Sequence, residues 1–150
     1  MAFRQGAARV TTSKMTDYSV LIGNDKNYVR FFHPGAIEGD WTVYRVSVRS
    51  GEFAASVECS DPTAKTIYAI KPALKRMHRK LTGHAEFCDH FNQFELRLEM
   101  RPNGQTEVSG KLEEPDYRDN DWRGNALTFE FLIDQTYLPD ILADLKRIKP

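Results

Sequence analysis

The sequence predicts an α+β domain, a mainly antiparallel sheet of about seven strands with two helices packed on it. Apolar and polar residues alternate with a period of two over much of the chain, as in half-buried strands. Only two segments carry apolar residues at spacings of three and four, the pattern of an amphipathic helix. Four strands precede the first helix and three precede the second, so the regular alternation of a parallel doubly wound sheet is absent.

The first two predicted strands cover residues 18–24 and 28–33. The polar segment 24–27 between them has the composition of a turn. Residues 33–35 (His-Pro-Gly) then stop the second strand.

A hairpin is predicted from residues 41–48 and 51–59. Ser50-Gly51 is expected to form its two-residue connection, because glycine can adopt the positive φ that such a turn needs. This register pairs Val46 with Ala55 and places the apolar side chains of both strands on one face.

The first predicted helix follows Asp61-Pro62, a helix-start signal with aspartate as cap and proline at the first position. Gly83 is expected to cap its C-terminus. Pro72 interrupts the pattern, so either the helix is kinked there or its regular part begins near that proline. The apolar stripe consists of Ile67, Ile70, Leu74, Met77 and Leu81.

Residues 84–87 lead into a second predicted hairpin, whose first strand is 93–100. A three-residue loop with Gly104 in the left-handed bulge position fits the turn. It pairs Leu98 with Val108 on the apolar face, and Glu95 with Lys111 on the opposite face.

The last predicted strand is 126–133, and residues 134–136 are expected to cap a C-terminal helix. Asp140 near the start of this helix and Lys146 near its end suit the helix dipole. The apolar stripe consists of Leu138, Ile141, Leu142, Leu145 and Ile148.

Composition excludes several classes of protein. The 150 residues have a formal net charge of zero, whereas a general nucleic-acid binder normally has a basic excess, so only local basic patches remain open. No apolar run reaches the length of a membrane span, and residues 1–16 lack the apolar core of a secretory signal. We expect residues 1–16 to be a flexible extension, residues 17–150 to form one domain, and the protein to be cytoplasmic. A transit peptide, or a true start at Met15, are the alternatives for the N-terminus.

Residue patterns for catalysis or metal binding are weak. His84, Glu86, Cys88 and His90 share a strand face, but residues four apart along a strand lie roughly 13 Å apart, too far to hold one ion. Neither Cys59 nor Cys88 lies in a nucleophile motif, and we expect both to be unreactive thiols without a disulfide. The carboxylates of the second hairpin alternate with Arg97 and Lys111, which indicates a solvated, charge-balanced face. We therefore expect no catalytic residues, no metal and no cofactor.

The polar loop 113–124 is the candidate binding segment, because acidic residues with aromatic anchors suit a basic protein partner. The alternative is that its aromatic rings fold back onto the sheet. The expected partner-binding residues are Glu114, Asp116, Tyr117, Asp119, Asp121 and Trp122.

Several segments over about residues 40–149 resemble the WapI-type immunity proteins of bacterial contact-dependent toxin systems. Asp134-Gln135-Thr136-Tyr137-Leu138 is the most specific of them. The others are Asp40-Trp41-Thr42-Val43, Leu81-Thr82-Gly83, Phe94 to Leu98, Val108 to Leu112 and Leu127 to Phe131.

The resemblance implies a small cytosolic antitoxin that binds the toxic domain of a cognate toxin, often a nuclease, and blocks it. No direct contact with nucleic acid or membrane is expected, and a homo-oligomer is possible. One alternative is a stand-alone ligand-binding or self-associating β-rich domain, which a large apolar pocket or an exposed strand edge would favour. Another is an enzyme that uses His84, Cys88 or the carboxylate face.

Overall fold

Nine strands and two α-helices make up the described part of the chain, which in this computed structural model covers residues 18–32, 37–62, 67–114 and 124–147. The strands are β1 (Tyr18–Gly23), β2 (Asn27–Phe32), β3 (Ile37–Glu38), β4 (Trp41–Ser50), β5 (Phe53–Pro62), β6 (His84–Cys88), β7 (Phe94–Met100), β8 (Gln105–Glu113) and β9 (Ala126–Asp134). The helices are α1 (Lys71–Lys80) and α2 (Leu138–Arg147), each preceded by a short 3₁₀ segment, Ile67–Ile70 and Gln135–Tyr137.

The strands form two antiparallel sheets. In the first, β1, β2, β4 and β5 are neighbours in that order, and the short β3 continues the path of β2 along the same edge of β4. The second is a meander in the order β6, β7, β8, β9. The predicted α+β class is therefore confirmed, with β3 and β6 as strands beyond the seven expected.

The inner faces of the two sheets enclose one apolar core. Phe31 of the first sheet meets Phe87 and Phe94 of the second edge to face, with ring centroids 6.2 and 5.7 Å apart. All three side chains are buried, so these contacts fix how the sheets pack.

The helices pack against each other and against the outer strands of the sheets. Helix α1 contacts β6, and α2 contacts β1. The Asp144 carboxylate of α2 accepts a hydrogen bond from the backbone N–H of Leu21 at 3.1 Å, so the helix satisfies a donor on the edge strand β1.

The second hairpin forms in the predicted register. Leu98 lies opposite Val108, and Glu95 lies opposite Lys111. Asp134 caps the C-terminal helical segment by accepting the Thr136 backbone N–H at 2.9 Å, also as predicted. Local turn chemistry and the apolar pattern agree at both places, which is why these predictions hold.

The first hairpin differs from the prediction by two residues. Its connection is Gly51-Glu52, and Val46 pairs with Val57 instead of Ala55. Gly51 has a φ of 63° and occupies the first central position, where a type II′ turn carries glycine. A shift of two residues keeps every side chain on its predicted face, so the apolar pattern alone could not distinguish the two registers.

The predicted boundaries of the first helix are wrong at both ends. Asp61 and Pro62 end β5 rather than starting a helix, and the regular helix begins at Lys71 with Pro72 in its first turn. Of the two alternatives for this proline, the start of the helix is therefore confirmed. The left-handed cap falls on Leu81 (φ 54°), two residues before Gly83.

Candidate functional site

Three aromatic residues gather on the surface where β4 starts and β6 ends, and we call Trp41, His90 and Phe91 the aromatic cluster. The Trp41 and Phe91 rings are stacked, with centroids 5.9 Å apart and an angle of 11° between their planes. The His90 ring lies edge-on to both, at 5.1 and 4.9 Å. Phe91 is 55% exposed and Trp41 is partly buried, so the cluster presents an apolar ring face to solvent.

The buried carboxylate of Asp61 holds this cluster to the first sheet. It accepts the backbone N–H of His90 at 2.8 Å and the hydroxyl of Tyr44 at 2.7 Å. Desolvation by burial raises the pKa of Asp61, although both hydrogen bonds act in the opposite direction. The same burial and the hydrogen bond to Asp61 raise the pKa of the Tyr44 hydroxyl.

A second buried carboxylate, Asp89, organises the loop between β6 and β7. Its oxygens accept the backbone N–H groups of Phe94 at 2.8 Å and Phe91 at 3.3 Å. The left-handed Asn92 (φ 58°) tightens the turn. Two buried carboxylates thus fix the backbone that carries an exposed aromatic ring, so little conformational entropy remains to be lost when a partner covers it.

A groove of about 470 Å³ lies beside Phe91 and separates it from the end of β8. Glu58 and Glu114 supply carboxylates to its wall, and Arg45 supplies one guanidinium, which donates to the Ser56 hydroxyl at 3.0 Å. The full lining is Arg45, Ser56, Val57, Glu58, Ser60, Phe91, Gln93 and Glu114.

Glu114 also lines a second groove of about 390 Å³, between the free edge of β5 and the second sheet. Ala54, Ala55 and Leu127 make part of its wall apolar. The aromatic cluster and the two grooves are therefore parts of one surface, with Glu114 between the grooves.

Of the six predicted partner-binding residues, the structure describes only Glu114. It is exposed, and its backbone N–H donates to the carbonyl of Asn125 at 2.8 Å, which joins the two ends of the predicted binding loop beside the grooves. The other five, Asp116, Tyr117, Asp119, Asp121 and Trp122, lie outside the described residues.

Sequence reasoning expected solvent-facing histidines, and His90 is exposed, but it did not identify Phe91 as a surface residue. The available signal was Phe91 itself, a large apolar residue inside the polar turn Asp89 to Asn92. Its partner Trp41 is fifty positions away in the chain, so the stacked pair depends on the packing of one sheet against the other.

Carboxylates on the exposed face of the second sheet lie beside basic side chains. Arg97 bonds Glu86 at 2.6 Å and lies 3.4 Å from Glu99. Lys111 lies 3.9 Å from Glu95. These groups are partly exposed, as the predicted charge-balanced face requires.

The remaining residues considered for catalysis or metal binding do not gather at one site within the described part of the chain. Neither cysteine forms a disulfide: Cys59 is a buried thiol whose pKa is raised by burial, and Cys88 is a half-buried thiol within hydrogen-bond reach of the Asn92 side chain. Within the described ranges, no three His, Cys, Asp or Glu side chains are grouped so that they could hold a metal ion. Among the same residues, no helix has the length and apolar character needed to cross a membrane.

Comparison with known proteins gives one match. The family model described as "Immunity protein WapI-like family" matches residues 21–149, which is most of the chain. No curated protein and no solved structure matches.

Proposed function

This chain belongs to the WapI-like family of immunity proteins, and we propose that it neutralises a cognate bacterial toxin by direct protein–protein contact. The observation that carries the proposal is the family match over residues 21–149. The role is immunity in general, and stoichiometric binding of the toxic domain is the mechanism we propose for it.

The proposed contact surface combines the aromatic cluster with Glu114 and the loop that follows. Interfaces depend on a few large aromatic side chains at the centre of a contact, surrounded by polar groups. Phe91 and Trp41 supply such an anchor on a fixed backbone, and the neighbouring groove can accept a side chain of the partner. The loop residues Asp116, Tyr117, Asp119, Asp121 and Trp122 are proposed to extend this contact.

A basic partner suits this surface. Residues 113–124 carry five carboxylates and only two arginines, and Glu58 adds a further carboxylate in the groove. Opposite charges speed the encounter of two proteins and make their association rate fall as salt rises. A nuclease that acts in the cytoplasm is the class of toxin we propose, since such domains carry basic surfaces for nucleic acid.

Phe91→Ala is the sharpest test of the surface. Phe91 is 55% exposed, so a partner could cover roughly 100 Å² of a ring that offers 150–250 Å² in all. At about 25 cal/mol per Å² this is roughly 2–3 kcal/mol, or about a 30- to 150-fold increase in Kd. Calorimetric titration with the toxic domain of the toxin that this chain neutralises measures it.

Leu132→Ala is the matched control. Leu132 is 45% exposed on β9, and its position lies about 20 Å along the strand from the groove residue Ala126. The control should leave Kd within about twofold of wild type. Equal losses in both variants would refute the proposed surface while leaving immunity itself intact.

Immunity is tested by growth. Cells that express the upstream toxic domain should survive when this chain is co-expressed, and the two proteins should co-purify as a stoichiometric complex. Death of the co-expressing cells, or survival without any complex, would contradict neutralisation by direct contact.

A further inference from the structure

The exposed face of α1 carries positive charge without any negative charge. Leu74 and Met77 are buried beneath it. Between Pro62 and Ala85 the chain has six Lys or Arg residues and no Asp or Glu, although its net charge is zero. The exposed side chains from the middle of α1 to its end are Lys75, Arg76, His78, Arg79 and Lys80.

Within the described part of the chain, the lysines and arginines among these residues differ from those of the second sheet in having no carboxylate partner. Arg97, Arg101 and Lys111 each form an ion pair. Within the described residues, no ion pair involves the Lys or Arg side chains of α1.

Helix stability does not explain this arrangement. The helix dipole favours cations only in the last turn, which accounts for Arg79 and Lys80 but not for Lys75 and Arg76. Lys75 and Arg79 are four residues apart, and so are Arg76 and Lys80, a spacing at which like charges destabilise a helix. Repulsion between these side chains therefore destabilises α1 in the isolated protein, and an anionic partner would remove that repulsion.

We propose that α1 binds the phosphate backbone of double-stranded DNA without sequence preference. A helix about 10–12 Å wide fits the major groove of B-form DNA, which is about 12 Å wide. At about 100° per residue, Arg79 points along the centre of the face opposite the buried Leu74 and Met77, with Lys75 roughly 50° to one side and Arg76 roughly 50° to the other. Cations spread over such an arc can reach the phosphates on both edges of the groove.

Other anionic partners fit this face less well. Single strands bind to sets of aromatic rings on which successive bases stack, and His78 supplies the one aromatic ring among the exposed residues from Lys75 to Lys80. The major groove of duplex RNA is too narrow for a helix. An acidic protein would need an apolar anchor at the centre of the contact, whereas the exposed apolar side chain next to this face, Leu81, lies at its C-terminal end and not at its centre.

Fluorescence anisotropy with a labelled 20-base-pair DNA duplex, titrated with the full chain at several salt concentrations, tests the proposal. Contacts from four cations predict that log K falls against log salt with a slope of about −3 to −4. Lys75→Ala combined with Arg79→Ala should weaken binding at low salt by at least about tenfold and reduce the slope by about two.

The matched control is Arg97→Ala combined with Lys111→Ala, which removes the same charge from the paired face of the second sheet. It should change DNA affinity by less than about twofold. Circular dichroism and melting temperature must show that both double variants fold, and the α1 variant should melt close to wild type because the lost dipole interaction of Arg79 opposes the removed repulsion.

Three results would overturn the proposal: no binding by the wild-type chain at low salt, equal losses in both double variants, or tighter binding to single-stranded DNA or duplex RNA. Loss of toxin neutralisation in the α1 variant with unchanged DNA affinity would also overturn it, because α1 would then be a protein-docking face. The proposal does not depend on the immunity role, since DNA binding is measured without toxin.

Discussion

Two substitutions of Asp61 should separate the effect of its hydrogen bonds from the effect of its buried negative charge. Its oxygens accept hydrogen bonds from the His90 backbone N–H at 2.8 Å and the Tyr44 hydroxyl at 2.7 Å. Asp61→Ala leaves both donors without an acceptor in a place that water does not reach. Asp61→Asn keeps the shape, because its amide oxygen can accept from the His90 N–H while its amide nitrogen donates to the Tyr44 oxygen.

The two substitutions should therefore differ in their cost to stability. A buried donor that loses its partner costs about 1–3 kcal/mol, so Asp61→Ala should lower the free energy of unfolding by about 2–5 kcal/mol. Asp61→Asn should remain within about 1 kcal/mol of wild type at neutral pH, since the buried negative charge is removed while a hydrogen bond to each partner is kept. Urea unfolding followed by tryptophan fluorescence measures both.

The pH dependence supplies an independent check. Burial raises the folded pKa of Asp61 above its unfolded value, so the folded protein binds more protons between those two values. The contribution of Asp61 is therefore most favourable below the unfolded pKa of about 4 and becomes less favourable as the pH rises through the folded value. Asp61→Asn should lack this decline. The reasoning is refuted if Asp61→Ala unfolds at the same urea concentration as wild type, or if Asp61→Ala and Asp61→Asn are equally destabilised.

Three further predictions concern other parts of the fold. A Cβ atom on Gly110 would lie 2.0 Å from the carbonyl oxygen of Glu95, so Gly110→Ala should cost about 3 kcal/mol in urea unfolding, and an unchanged midpoint would contradict this packing. The N-cap hydrogen bond lowers the pKa of Asp134, so Asp134→Ala should lower the melting temperature at pH 7. That difference should shrink as the pH falls through the lowered folded pKa of Asp134, since the contribution of the charge is lost when the carboxylate is protonated, and an undiminished difference once it is protonated would disprove the charge-based cap. Burial raises the pKa of Cys59, so a thiol reagent should modify Cys88 first in the native protein, and rapid labelling of the Cys88→Ala variant would show that Cys59 is accessible.

The strands and their register were predictable wherever the turn residues and the apolar pattern specify the same pairing. The β7–β8 hairpin is such a case, because Gly104 at a positive φ fixes its register. The β4–β5 hairpin is not such a case. A Ser50-Gly51 loop and a Gly51-Glu52 loop bury the same face of both strands, so the apolar pattern fits either register. Only the packed structure decides between them.

Long-range contacts overrode local signals at Asp61 and in the functional surface. Asp61-Pro62 has the composition of a helix start, but the pairing of β5 with β4 and the hydrogen bond from His90 keep it in a strand. Glu114 could be assigned to the candidate surface from the charge pattern of its loop. The stack of Trp41 on Phe91 could not, because it joins residues that meet only after both sheets have formed.

Hydrogen exchange of this chain, measured by mass spectrometry with and without the toxic domain encoded upstream, tests neutralisation by surface contact most directly. The proposed surface predicts slower exchange in residues 88–94 and in the segment that follows Glu114, while α1 exchanges as in the free protein. Protection confined to α1 would contradict the proposed surface. So would the absence of any protection when the toxic domain is present at a concentration that kills cells unless they express this chain.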